Sequence, residues 1–255
     1  MVRNGREGPG SPADYRGGKQ LRKGLRQDMG QYDRYRQEVL EASLWLSDHG
    51  FFGSSRGTGG NVSVRIEGTS LMAVTPSSVK YQEITPEDIC IVDASGAVME
   101  GSRAPSVEAG MHAAVYLNRP DVNAVVHTHQ IYGSVFALIN QPIPPLLDEV
   151  VFTLGESVEV VPYALSGSAE LVANVASKLG NNANAYIIQN HGILALGKNL
   201  DKALLGAELL EKVAHLYCLA LSTGRPITTL PDQIRDIAHS LREYEVSEAR
   251  KKTSG

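Results

Sequence analysis

Residues 105–129 read PSVEAGMHAAVYLNRPDVNAVVHTH, and the change of period inside this stretch decides the fold. Val107, Met111, Ala114, Val115 and Leu117 recur at helical spacing, Pro105 with Ser106 supplies a start signal, and Asn118-Arg119-Pro120-Asp121 ends the helix. The run 124–129 is then apolar and β-branched enough for a strand. Upstream, residues 62–66 and 71–74 flank Glu67-Gly68-Thr69 as a hairpin, and 89–92 followed by Asp93-Ala94-Ser95-Gly96 repeats the pattern. Further upstream a helix opens at Tyr32, with Tyr35, Val39, Ala42 and Leu46 on one face and Gly50 as its stop. Downstream, helices are expected over 132–139, ended by Pro142, Pro144 and Pro145, and over 169–179, 200–222 and 234–249. Strands are expected over 158–161, 185–189 and 193–196, the last two around Asn190-His191-Gly192. Helices alternating with strands, after hairpins that an all-parallel sheet would not contain, predict one mixed-sheet α/β domain.

At about 150 residues per domain, a chain of 255 residues holds one domain or two. Hydrophobic residues at 42% and charged residues at 20% supply a core and argue against a wholly disordered, collagen-like or coiled-coil chain. A net charge of −4 does not suit a protein that binds nucleic acid by neutralising phosphates, though it leaves room for a small polyanionic metabolite. Cys90 and Cys218 stand far apart and outside any C-x-x-C, so neither a disulfide framework nor a thiolate zinc site is expected, and a reducing cytoplasm fits. With no apolar run near the ~18 residues a spanning helix needs and no signal-peptide core, a soluble cytoplasmic protein without membrane partners is expected. Residues 1–30 read as a disordered basic tail carrying Arg3, Arg6, Arg16, Lys19, Arg22, Lys23 and Arg26. The folded domain is expected over 31–225, with a C-terminal helical extension over 226–255.

His127 and His129 lie two apart in the expected strand, so both imidazoles project from one face at its C-terminal end, where open α/β sheets usually bind ligands. A bare H-x-H is a weak signal. His191 strengthens it, because it too follows an apolar strand, and three nitrogen donors with one open position are a common catalytic zinc arrangement. Glu108, in the first turn of the preceding helix, is either a fourth donor or a capping carboxylate favoured by the helix dipole. His112, one turn on, is an alternative ligand or a supporting partner. His49, His215 and His239 have no neighbouring ligand types and read as structural or exposed.

Gly57-Thr58-Gly59-Gly60-Asn61-Val62-Ser63 lets backbone N–H groups approach an anion, although it matches neither common nucleotide-loop pattern. Thr75-Pro76-Ser77-Ser78 ends a strand with consecutive hydroxyls, and Pro105-Ser106 opens a helix whose free N–H groups also suit an anion. No basic cluster interrupts these loops, so a phosphate would be held mainly by neutral donors.

In order, Gly60-Asn61-Val62-Ser63, Thr75-Pro76-Ser77-Ser78, Pro105-Ser106-Val107-Glu108, His127-Thr128-His129 and Asn190-His191-Gly192 resemble the signature of the class II aldolase/adducin family over roughly residues 32–225. The resemblance implies a single three-layer α/β/α domain with a mixed, largely antiparallel central sheet, and a homotetramer with active sites between subunits. It implies one divalent metal per subunit, commonly zinc, with manganese, cobalt or magnesium as alternatives. By position His127, His129 and His191 match the metal ligands, and Glu108 matches a carboxylate that can ligate the metal and act as catalytic acid/base. Gly60, Asn61, Ser77, Ser78 and Ser106 match phosphate-binding positions. Two positions depart from the family pattern. Val107 replaces a second serine, and the family's proton-donating tyrosine would fall near Asp148, a carboxylate that could take over that proton transfer. Tyr244 is another candidate phenol.

The activity implied is metal-dependent cleavage of a ketose 1-phosphate, such as L-fuculose 1-phosphate, to dihydroxyacetone phosphate and an aldehyde through an enediolate. A sugar-phosphate epimerase, decarboxylase or dehydratase of the same family is the alternative, although the pentulose 5-phosphate 4-epimerases tend to carry Asp at the position of Glu108. An adducin-like interaction module generally lacks the histidines present here. Nucleic-acid binding by the basic tail is the remaining rival, and is disfavoured.

Overall fold

The computed structural model describes residues 30–54 and 56–253, so all but the last residue of the expected basic tail lies outside the described residues. Helix α1 (Asp33–Asp48) buries Val39, Leu40, Ala42 and Leu46, and the chain leaves it through Gly50, whose φ of 78° is in the left-handed region that glycine tolerates. Strands β1 (Asn61–Arg65), β2 (Met72–Val74), β3 (Cys90–Val92) and β4 (Val98–Glu100) follow as antiparallel neighbours. The central stretch then forms α2 (Ala109–Asn118) and β5 (Ala124–Thr128). After it come α3 (Ile131–Ile139), α4 (Asp148–Leu154), β6 (Glu159–Val161), α5 (Ala169–Lys178), β7 (Ala185–Ile188), β8 (Gly192–Gly197), α6 (Leu200–Ser222) and α7 (Asp232–Thr253).

The eight strands make one sheet in the order β4-β3-β2-β1-β5-β8-β7-β6, in which only β6 and β7 are parallel. Helices cover both faces. Met111, Val115 and Tyr116 of α2 and Leu171 and Val175 of α5 pack with Val125 and Leu194 on one face. On the other, α1 packs with Ala124 and Val126, and α3, α4 and α6 bury Phe136, Leu154 and Leu210 against Ile187 and Ile193. This is the expected three-layer α/β/α arrangement, and the alternation of Val125 against Ala124 and Val126 follows the two-residue period of a strand. Among the described residues no helix is long and apolar enough to cross a membrane.

Helix α4 is absent from the sequence-based expectation. It has only seven residues, too few for a period to register, although Asp148-Glu149 at its start and buried Val150, Val151 and Leu154 are the traces of one. The far end of α2 is anchored by Arg119, whose buried guanidinium donates to both oxygens of Asp121 at 2.8 and 2.6 Å, to Ala183 O and to Asn184 Oδ1. That anchor fixes the axis of the helix whose other end carries Glu108. At the C-terminus α7 buries Ala238 and Val246, and Arg242 donates to Thr153 O on α4.

Candidate active site

The register of the sheet brings the first groups together. Asn61, opening β1, sits opposite His127 near the end of β5, and Leu194 of β8 flanks His127 on the other side. His127 shares its face with Val125, the face that α2 covers, and Glu108 occupies the position capping the start of α2. The helix therefore begins at Ala109, and Glu108 is its flanking residue rather than part of its first turn. His129 lies one residue past β5 and is held by a backbone bond from its N–H to Phe51 O. His191 projects from the tight β7–β8 turn, where Asn190 takes the left-handed φ of 54° that asparagine accepts more readily than most residues.

The three imidazoles converge. Their ligand atoms all lie within 4.8 Å of one another, and His127 Nε2 is 3.1 Å from His129 Nε2. Glu108 completes the group, with Oε2 3.3 Å from His127 Nε2 and Oε1 3.2 Å from His191 Nε2. Backbone without side chains permits this crowding: a Cβ on Gly59 would stand 2.7 Å from His129 Nδ1, and one on Gly192 would stand 2.7 Å from His129 Cδ2 and collide with Thr128 O.

Proton positions suit a cation. His127 Nδ1 donates to Ile193 O at 2.8 Å, which fixes the ring with Nε2 directed at the cluster. Burial, reinforced by the neighbouring imidazoles, lowers His129 to about 4. Burial and then His127 lower His191 as well, against the pull of Glu108. For Glu108 burial acts upward, but it is outweighed by His127 and His191 and by hydrogen bonds from Asn61 and Ser166, which hold the carboxyl down at about 2. Three imidazoles and an ionised carboxylate facing one point form a donor set that fits a divalent transition metal.

The three polar loops meet beside this cluster. Val62 N–H donates to Thr75 Oγ1, Thr75 N–H to Val62 O and Ser106 N–H to Thr75 O, while Pro76 bridges to Pro105. Gly60 and Ser77 are half-buried and Ser78 is exposed with a positive φ of 59°, whereas Ser106 is buried and its Oγ accepts from Glu108 N–H. Asn61 is committed more deeply than the loop reading implies: its Nδ2 donates to Glu108 Oε2 at 2.7 Å and its Oδ1 accepts from His112 Nε2. His112, fully buried, is a supporting partner bonded to Asn61 and Ser63.

Ser166 has no precursor in the sequence reading; its Oγ donates to Glu108 Oε1 at 2.9 Å, and a lone serine in the loop before α5 carries no recognisable spacing. Asp148 is exposed at the start of α4, and no hydrogen bond or ion pair among the described residues joins it to Glu108 or the imidazoles. Tyr244, 64% exposed, lines a cleft with Val64 and Arg65 at the end of β1 opposite Asn61. His49 stacks on Trp45, His215 on Tyr132, and His239 pairs with Glu156 and Glu243, away from the cluster.

Fold and site together define a class. Residues 37–218 match the Class II Aldolase and Adducin N-terminal domain, and the chain belongs to that family. Its relatives there include aldolases. The L-fuculose phosphate aldolase of Escherichia coli strain K12 is 37% identical over 208 residues, covering 82% of this chain and 93% of that protein. The 5-deoxy-D-ribulose 1-phosphate aldolase of Bacillus thuringiensis serovar kurstaki is 34% identical over 192 residues, 75% of this chain and 89% of that one. A solved L-fuculose 1-phosphate aldolase structure superposes with a TM-score of 0.77 at 35% identity, covering 85% of this chain and 99% of that one. Within the family this chain is a class II aldolase, a lyase.

Proposed function

We propose that this aldolase cleaves a ketose 1-phosphate, L-fuculose 1-phosphate or a similar sugar, to dihydroxyacetone phosphate and an aldehyde. The observation that carries the reading is the convergence of His127, His129, His191 and Glu108 on one point beside three anion-suited loops. A divalent cation held by these residues, zinc by its preference for imidazole with manganese, cobalt or magnesium as alternatives, supplies Lewis-acid polarisation of the substrate carbonyl when bound. Glu108 moves the proton. As the C3–C4 bond breaks, the C4 hydroxyl becomes the aldehyde carbonyl and releases its proton, the bond pair passes to the enediolate, and one proton taken up and delivered by Glu108 to the enediolate carbon completes dihydroxyacetone phosphate, so the proton count closes; condensation runs the same transfers in reverse. Asn61 and Ser166 hold the two carboxylate oxygens, so the proton-carrying group keeps one orientation.

Gly60, Asn61, Ser77, Ser78 and Ser106 form the phosphate subsite, with neutral donors throughout. Asn61 serves both partners, because one N–H of its amide goes to Glu108 and the second is left for the substrate. The exposed Leu117, Ile131, Leu138 and Ile139 support burial between copies in a homotetramer, where Asp148 or Tyr244 of a neighbouring copy would serve as proton donor. The unpaired Cys90 and Cys218 support a cytoplasmic setting.

A panel of ketose 1-phosphates and pentulose phosphates, assayed with metal-reconstituted protein, tests this. Triose phosphate and an aldehyde in equal amounts are expected from a ketose 1-phosphate. An epimerised, decarboxylated or dehydrated product without triose phosphate would replace the aldolase reading.

A further inference from the structure

Behind Glu108 runs a series of buried polar groups whose donor directions follow one from another. Ionised Glu108 only accepts, so the Asn61 atom 2.7 Å from Oε2 is the amide nitrogen. Asn61 Oδ1, also an acceptor, then faces His112 Nε2 at 2.5 Å, and that nitrogen carries the proton. Burial, with His127 adding to it, lowers the His112 pKa to about 3, so at neutral pH the ring has a single proton and Nδ1 is bare. Ser63 Oγ, 2.7 Å from Nδ1, must donate to it. Having used its only proton there, Ser63 accepts from Tyr116 Oη at 2.7 Å. The relay runs from Tyr116 through Ser63, His112 and Asn61 to Glu108, with Ser63 and His112 wholly excluded from water.

We propose that His112 is a positioning residue for Glu108: its Nε2–H tautomer locks the Asn61 amide with nitrogen, not oxygen, toward the carboxylate. A reversed amide would set Oδ1 against Oε2, two acceptors in hydrogen-bond contact, and would drive the carboxylate from the place its contacts to His127 and His191 define. Ser166 holds only the other oxygen, Oε1, and cannot correct this. The chain of directions needs no substrate, whereas its effect on turnover rests on the aldolase reading.

Nitrogen-15 NMR of the metal-free, histidine-labelled protein at neutral pH reads the tautomer directly, His112 being assigned by its loss in the His112→Gln spectrum. Protonated Nε2 with bare Nδ1 is expected, and the opposite tautomer would overturn the proposal. In the metal-loaded enzyme, His112→Leu removes the donor and should lower kcat about 10²-fold, with KM and metal content within about twofold of the parent. His112→Gln keeps a donor near the Nε2 position and should recover kcat to within about tenfold. Equal losses in both variants, or a loss confined to KM or metal content, mark a merely structural residue. Should His112→Leu not fold, Ser63→Ala frees the ring to change tautomer and should lower kcat about tenfold; unchanged turnover with an unchanged tautomer contradicts the relay. If the parent protein releases no triose phosphate from any ketose 1-phosphate, the aldolase reading falls while the tautomer still decides the relay.

Discussion

Replacing Glu108 by Gln lowers kcat by about 10³-fold or more and leaves KM within a few-fold of the parent, as steady-state cleavage of the preferred ketose 1-phosphate will show. The substitution keeps volume and reach but removes the group proposed to exchange a proton at the enediolate carbon. It also disturbs the support around that group, since Asn61 and Ser166 each donate to one carboxylate oxygen and a glutamine offers only one acceptor. Of the proposed phosphate subsite only Asn61 bonds to the Glu108 side chain, while Gly60, Ser77, Ser78 and Ser106 stay in place, so the loss is expected to fall on turnover. A variant that kept parental kcat would remove Glu108 from the chemistry.

His127→Ala should cost metal and activity together. His127 is the only imidazole of the three that is fully buried, and its Nδ1–H bond to Ile193 O fixes the ring with Nε2 toward the cluster. Apparent binding energies for structural zinc sites of about 10–16 kcal/mol, spread over three or four donors, put roughly 3–4 kcal/mol on each, so affinity should fall on the order of 10²–10³-fold. Competition against a chromogenic chelator measures that loss, and triose phosphate release from the same sample should fall in parallel. A variant that loses its metal yet cleaves at the parental rate would show the cluster to be structural.

Much of this site is legible in the chain because its parts sit where local patterns break. His127 and His129 end an apolar run, His191 interrupts two strands, and Ser106 and Glu108 open a helix after proline, so each site is marked by a change of period. What stays hidden is set by register and close approach. The bond from Asn61 to Glu108 depends on the β1–β5 pairing that places Asn61 opposite His127, a long-range match no short window contains. His112 stands at helical spacing from Glu108, yet its role is decided by Ser63, which arrives from another strand. Ser166 reaches Glu108 from a loop with no periodic signal at all. In the chain Gly59 reads as part of an anion-approaching loop and Gly192 as part of a break between strands, whereas both are needed for the rings to crowd together. Helix α4 is too short to show its period against the prolines before it.

Titration of the chelator-treated protein with Zn²⁺, followed by X-ray absorption of the bound ion, reads the proposed histidine–carboxylate site without relying on turnover. One ion per chain is expected, in a shell of three imidazole nitrogens and a carboxylate oxygen at about 2.0–2.2 Å. Absence of stoichiometric binding, or an ion surrounded by oxygen alone, would contradict it.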